Sequence, residues 1–152
     1  MKSKPHISLR IPGPTPLPDE VLEATSAQMI SHRGHEYEEL QNRVIENVKH
    51  FFQTKNDLFL ISSSGTGGFE TAVANFFSTG DTIVSFTCGL FGQRFADCAR
   101  AFGLNVKQVR FDEGSAISKG EVFRVLSETE NLKGVFFTHN ETSSGVLNKI
   151  AD

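Results

Sequence analysis

A chain of 152 residues, 38% hydrophobic and 22% charged, has room for one globular domain, or one and a fraction, and is too apolar for disorder. Fifteen Lys and Arg against eighteen Asp and Glu leave a formal charge of −3 with no basic run able to track a phosphate backbone, which argues against nucleic acid as a partner. Residues 1–10 are basic without a signal peptide's apolar stretch, and the longest apolar runs, 58–61 and 135–137, are far short of a membrane span, so a soluble, cytoplasmic protein with no membrane partner is expected.

Residues 11–18 (IPGPTPLP) hold four of the five prolines, a density that resists helix and sheet interior alike and predicts an extended arm. Pro18, Asp19 and Glu20 then read as a helix start, with proline in the first turn and carboxylates at the positive end of the dipole. After a break at 31–34 a second helix is expected over about 36–52, with Leu40, Val44, Ile45, Val48, Phe51 and Phe52 as a core-facing stripe. From Asp57 onward short apolar runs alternate with helical stretches. Strands are expected at 58–62, 82–86, 105–109 and 134–138, and helices at 67–77, 91–102 and 119–128. This is the signature of an α/β fold, a mostly parallel sheet with helices on both faces. Cys88 and Cys98 are too few for a disulfide framework and read as reduced, buried thiols. Fourteen Phe with no Trp and one Tyr ask for a sizeable apolar core.

Three loops follow or precede strands in a way that can gather a ligand. Ser62 to Glu70 (SSSGTGGFE) links a predicted strand to a predicted helix, so backbone N–H groups and the helix dipole converge on one spot, as in an anion cradle. Phe69 and Glu70 stand where a Walker loop needs Lys and Ser or Thr, and Glu70 stands where a dinucleotide fingerprint needs its third glycine, so neither nucleotide motif is present. A small-phosphate site with a Thr66 hydroxyl and an ordinary strand-to-helix turn both fit the loop. Thr138 to Gly145 (THNETSSG) follows the last predicted strand and should line the same crevice, because ligands in open α/β sheets bind beyond the strands' carboxyl ends. His139, Asn140 and Glu141 cannot all face one ion from adjacent positions, so no metal is expected. Cys88 to Arg94 (CGLFGQR) puts Phe91 at the rim, where core packing is the commoner role for such a ring.

Together these loops resemble the class V pyridoxal phosphate aminotransferases, the group that includes alanine:glyoxylate, serine:pyruvate and aminoethylphosphonate aminotransferases. The blocks that carry the resemblance are IPGPTPLPDEVL, SHRGHEYEEL, SSSGTGGFETAVAN, CGLFGQRFAD and THNETSSGVLN, in that order from Ile11 to Asn148. The resemblance implies fold type I, with an arm over 1–18 and the first part of the cofactor-binding large domain over 19–152. It implies that Thr66, Gly67 and Gly68 bind the phosphate of pyridoxal 5′-phosphate, that Phe91 stacks on its pyridine ring and that Thr142 bonds its phenolic oxygen. It also implies that Gly13 lies near the substrate, that His32 and Arg33 belong to an interface loop at a neighbour's active site, and that the complete protein is a homodimer acting on an amino acid and a 2-oxo acid.

In similar enzymes the Schiff-base lysine and the carboxylate partner of the pyridine nitrogen lie beyond the block that ends at Asn148. None of the eight lysines here matches the former. The expectation is therefore an incomplete aminotransferase chain, inactive alone and with apolar surface left to cover. The alternatives are a cysteine desulfurase or lyase of the same fold, whose relatives usually carry a histidine where Phe91 stands, and a non-catalytic remnant that keeps only the phosphate cradle.

Overall fold

The computed structural model describes residues 8–150, which fall into two compact units divided between Ser62 and Ser63. That boundary lies inside the stretch assigned above to one large-domain piece, 19–152.

The first unit holds two helices. α1 (Asp19–Thr25) begins on Pro18, which stands at the cap rather than in the first turn, with Asp19 and Glu20 complementing the dipole. α2 (His35–Phe52) has Glu36 and Glu38 in its first turn and Lys49 and His50 in its last, and it ends where Gln53 enters the left-handed region. The stripe expected to be core is not buried within the described residues: Val44, Ile45 and Val48 are half-buried, while Phe51 and Phe52 are 83% and 67% exposed. An amphipathic pattern selects the face that wants cover without supplying the cover. The strand expected at 58–62 is likewise absent. Those residues form no ladder, because a strand exists only through a neighbour and 58–62 has none among the described residues.

The second unit is α/β. α3 (Gly65–Phe76) leads to β1 (Thr82–Thr87), α4 (Leu90–Ala101), β2 (Asn105–Arg110), α5 (Lys119–Ser127) and β3 (Leu132–Phe137), and a short hairpin of β4 (Asn140–Glu141) and β5 (Val146–Leu147) follows. β1 pairs in parallel with both neighbours, giving the order β2-β1-β3. As the central strand it is covered on both faces and buried from Ile83 to Thr87, which explains why its apolar residues show no clean alternation.

Helices pack on both faces. On one side Val73 of α3 and Ala99 of α4 close over Ile83, Leu104 and Phe136; on the other, Val125 of α5 closes over Val84 and Phe86. Each such burial of a large apolar side chain contributes roughly 1.5–3 kcal/mol. Phenylalanine dominates the first face. Phe69, Phe95 and Phe136 stack in series at centroid distances of 4.5 and 3.8 Å, and Phe77 meets Phe136 edge-on at 5.6 Å. Gly134 leaves room for this row, since a Cβ there would lie 2.6 Å from the Phe77 ring. α4 stops where Gly103 adopts φ +81 and the Leu104 amide bonds back to the Ala99 carbonyl, a left-handed helix stop that glycine alone makes without strain. Both cysteines are free; Cys88 is buried as expected, but Cys98 is only half-buried, and burial pushes its thiol pKa up.

Candidate functional site

β1 hands the chain through α4 to β2 on one side, and β3 arrives on the other side after α5. The crevice outside the carboxyl ends of β1 and β3 is thus the switch point of the sheet, where open α/β folds bind ligands. Its walls are the Cys88–Gly89 turn with the start of α4, and the segment from Thr138 through the β4–β5 hairpin.

α4 begins without a local cap. Gly89 precedes it and has no side chain to accept from the first-turn amides, so three N–H groups need partners from elsewhere. They find them 49 to 53 residues away. The Leu90 amide donates to Ser143 Oγ at 2.9 Å, the Phe91 amide to Glu141 Oε1 at 3.3 Å, and the Gly92 amide to Glu141 Oε2 at 3.0 Å. Oε1 also accepts from the Ser143 amide at 3.2 Å and from its hydroxyl at 2.6 Å. A carboxylate 1% exposed thereby gains charge-assisted bonds and the positive end of a helix dipole. The fit is close. A Cβ on Gly89 would lie 2.5 Å from Glu141 Cγ, and one on Gly92 would lie 3.1 Å from Thr138 Oγ1 and 3.3 Å from Thr87 Cα.

The base of the hairpin is held by Asn148, also buried. Its amide donates to the His139 carbonyl at 2.8 Å and its Nδ2 to the Thr138 carbonyl at 2.8 Å and to Cys88 Sγ at 3.3 Å. Its Oδ1 accepts from the Ile117 amide at 2.8 Å. One side chain therefore ties the ends of β1 and β3 to the approach to α5.

Burial raises the Glu141 pKa, but the bonds from Ser143, Gly92 and Phe91 outweigh it and hold the group below its ordinary value of 4.5. A carboxylate depressed in the folded state lends stability above its unfolded pKa and loses it as pH falls through the folded one. The cap on α4 should therefore stay intact down to about pH 4.5 and open only below it. Amide exchange at Leu90, Phe91 and Gly92, followed from pH 7 to pH 3, checks this; opening centred near pH 6 would contradict it.

The expected ligand residues lie as follows. Thr66 is the second residue of α3 and lines a groove with Glu70, Arg94, Asp97 and Cys98. The helix begins two residues earlier than expected, at Gly65, and this shifts the cradle. The Gly67 amide already donates to the Ser64 carbonyl at 3.0 Å, and Gly68 stands where a helical amide has an acceptor four residues back. The amides left without intrahelical acceptors are those of Ser64, Gly65 and Thr66. No side chain among the described residues caps them. Gly65 and Gly68 face open space, whereas Gly67 packs on Ser63. Phe91, half-buried in the first turn of α4, lies under the Arg94 guanidinium at 5.6 Å. Thr142 sits on the exposed β4–β5 turn between the two residues that cap α4. The Phe91 amide and Thr142 are thus linked through Glu141, whereas Thr66 lines a separate groove that does not include Phe91. Gly13, His32 and Arg33 belong to the first unit. Gly13 is exposed and joined to Pro14 by a cis peptide, and His32 and Arg33 line a hollow of about 340 Å³ with Tyr37 and Glu38.

Among the described residues no group of three or more His, Cys, Asp and Glu could hold a metal ion, and no helix is long and apolar enough to cross a membrane. Residues 7–152 match the family model described as Aminotransferase class-V. The chain is 37% identical over 146 residues to the soluble hydrogenase 42 kDa subunit of Anabaena cylindrica, covering 95% of this chain and 38% of that one. It is 35% identical over 144 residues to the L-aspartate–glyoxylate aminotransferase of Paracoccus denitrificans, covering 93% and 36%. The crystal structure of an alanine–glyoxylate aminotransferase from Nostoc sp. superimposes with a TM-score of 0.86 at 26% identity, over 99% of this chain and 41% of that one. The chain thus spans well under half the length of the proteins it matches, and the partial fold type I domain expected from its sequence is the architecture observed. A parallel sheet with this switch-point crevice, matched over nearly its whole length by one family, makes the chain a member of the class V aminotransferases.

Proposed function

We propose that this chain builds the phosphate-anchoring and ring-stacking side of a pyridoxal 5′-phosphate site, in an enzyme that moves an amino group between an amino acid and a 2-oxo acid. The observation that carries the reading is a contrast between two helix starts. The N-terminus of α4 is filled by the carboxylate of Glu141, an internal anion, whereas that of α3 offers the amides of Ser64, Gly65 and Thr66 with no side-chain cap. An external dianion is best accommodated at the second. Small residues and hydroxyls at 62–68 suit a phosphate, and the ring of Phe91 suits an aromatic heterocycle, so the donor set fits the cofactor.

In this reading Thr66 binds the phosphate through its amide and hydroxyl. Gly68 lines the cradle as bare backbone, which lets the phosphate approach closely, and Gly67 makes room for Ser63 beside it. Phe91 covers one face of the ring, and Thr142 donates to the phenolic oxygen. Gly13, in the arm over 1–18, is assigned to the substrate, and residues 19–152 form the first part of the cofactor-binding domain. The chemistry the cofactor supplies when bound is that of an electron sink for the bonds at the amino acid's α-carbon. The residues of this chain bind and orient. Exposed Phe51, Phe52, Phe59, Leu60 and Ile61 are surface for further polypeptide to cover, in keeping with a homodimer, and two free thiols accord with the cytoplasm.

Titrating the chain with pyridoxine 5′-phosphate, which has an alcohol in place of the aldehyde and forms no Schiff base, and with dephosphorylated pyridoxine tests the reading. The phosphorylated form should bind at least about tenfold more tightly, and Thr66→Val should remove most of that difference. Equal affinity for the two forms would overturn the assignment.

A further inference from the structure

The two side chains assigned to the ring of the cofactor come from segments about 50 residues apart in sequence, the first turn of α4 and the turn between β4 and β5. We propose that Glu141 is the positioning residue of this ring site, its buried carboxylate locking the start of α4 to the hairpin and so fixing the Phe91 ring and the Thr142 hydroxyl at one separation across the crevice. The proposal rests on the cofactor reading given above.

The geometry allows little slack. Glu141 and Ser143 together take up the Leu90, Phe91 and Gly92 amides, and Gly89 leaves no room for a side chain between them and α4. Toward the sheet, the backbone at Gly92 already lies against Thr87 and Thr138. At the other end of the hairpin Asn148 fixes the His139 and Thr138 carbonyls. Thr142 stands between two bonded residues and makes no side-chain hydrogen bond among the described residues, which leaves its hydroxyl for a ligand. The role requires a carboxylate. Both oxygens of Glu141 accept, one from the Gly92 amide and the other from Phe91 and Ser143, whereas a glutamine has one acceptor and one donor at the same two points. Glu141→Gln therefore sets an NH2 group against an N–H on one side and releases either α4 or the turn.

The test compares pyridoxine 5′-phosphate and inorganic phosphate as ligands of the full 152-residue chain and of its variants, with amide exchange at 90–92 as a readout independent of binding. In Glu141→Gln, exchange at those amides should rise about tenfold and pyridoxine 5′-phosphate should bind about tenfold more weakly, while inorganic phosphate at the α3 cradle changes by no more than about twofold. A variant that merely unfolds loses both ligands; Ser143→Ala, which keeps the carboxylate and its bonds to Phe91 and Gly92 but drops the Leu90 bond and the hydroxyl's bond to Glu141, then carries the test and should weaken pyridoxine 5′-phosphate alone. Unchanged pyridoxine 5′-phosphate affinity in a folded variant overturns the positioning role and leaves the cofactor reading standing. A wild-type chain that binds pyridoxine 5′-phosphate no better than inorganic phosphate overturns the cofactor reading and this role with it.

Discussion

Phe136→Ala should be the most destabilising single truncation in the second unit, at about 3–5 kcal/mol. Phe136 is 6% exposed, stacks on Phe95 and meets Phe77 edge-on. Its loss opens a cavity between the sheet and α4 and removes two aromatic contacts as well as the buried area. For a unit of this size each kcal/mol moves the unfolding midpoint by roughly 4–8 °C, so a drop well above 10 °C is expected in a thermal melt. Phe136→Leu, which keeps most of the volume, should cost well under half as much. Equal effects from the two would mean that the aromatic row is not what holds α3 and α4 to the sheet.

Incubated with pyridoxal phosphate and an amino donor, then reduced with borohydride and peptide-mapped, the chain alone should show no turnover and no single stoichiometrically labelled lysine. The lysines of the second unit are badly placed. Lys107 and Lys133 lie three and four residues before the carboxyl ends of β2 and β3, about 10 and 13 Å along the strands. Lys107 is also bonded to Thr129. Lys119 and Lys149 line a hollow with Val122 and Phe137 on the α5 face of the sheet, opposite the face that carries α4. In the first unit Lys49 pairs with Glu46 on α2 and Lys55 is exposed just after that helix, and Lys2 and Lys4 lie outside the described residues. Scattered partial labelling is the expected pattern. One uniquely labelled lysine accompanied by amino-donor turnover would falsify the claim that this chain holds no Schiff-base position.

Much of the second unit was legible because its elements are local and strongly patterned. The short runs rich in Val, Ile and Phe at 82–86 and 134–138, without clean alternation, mark buried parallel strands, and the observed β1 and β3 differ from them only at their ends. The stretches at 58–62 and along α2 carry equally clear patterns, yet the first forms no strand and the second no core. Their pattern depends on partners that the described residues do not include, and no periodicity encodes a partner.

The site divides in the same way. The glycine loop could be read as a helix start since glycine, serine and threonine have local conformational meaning. Its register was two residues off because Ser64 rather than Thr66 begins the helix. Glu141 and Asn148 were missed as the two residues that assemble the crevice. A signal for Glu141 was present in CGLFGQR, where a helix opens with no Ser, Thr, Asp or Asn to cap it. An uncapped start beside a sheet implies an acceptor from another loop, and a carboxylate in the turn after the neighbouring strand is a ready candidate. Asn148 offered no comparable signal, since the three partners of its side chain are two backbone groups and a thiol brought together only by the fold.

If the start of α3 anchors the phosphate while the loops after β1 and β3 hold the ring, residue-resolved amide shifts during titration with pyridoxine 5′-phosphate will separate the two. The largest shifts are expected at Ser64, Gly65 and Thr66, with a second group at Phe91 and Thr142, and only the second group when the phosphate is absent from the ligand. Shifts at Leu90 to Gly92 with none at Ser64 to Thr66 would place the anion on α4, displacing Glu141, and would contradict the account.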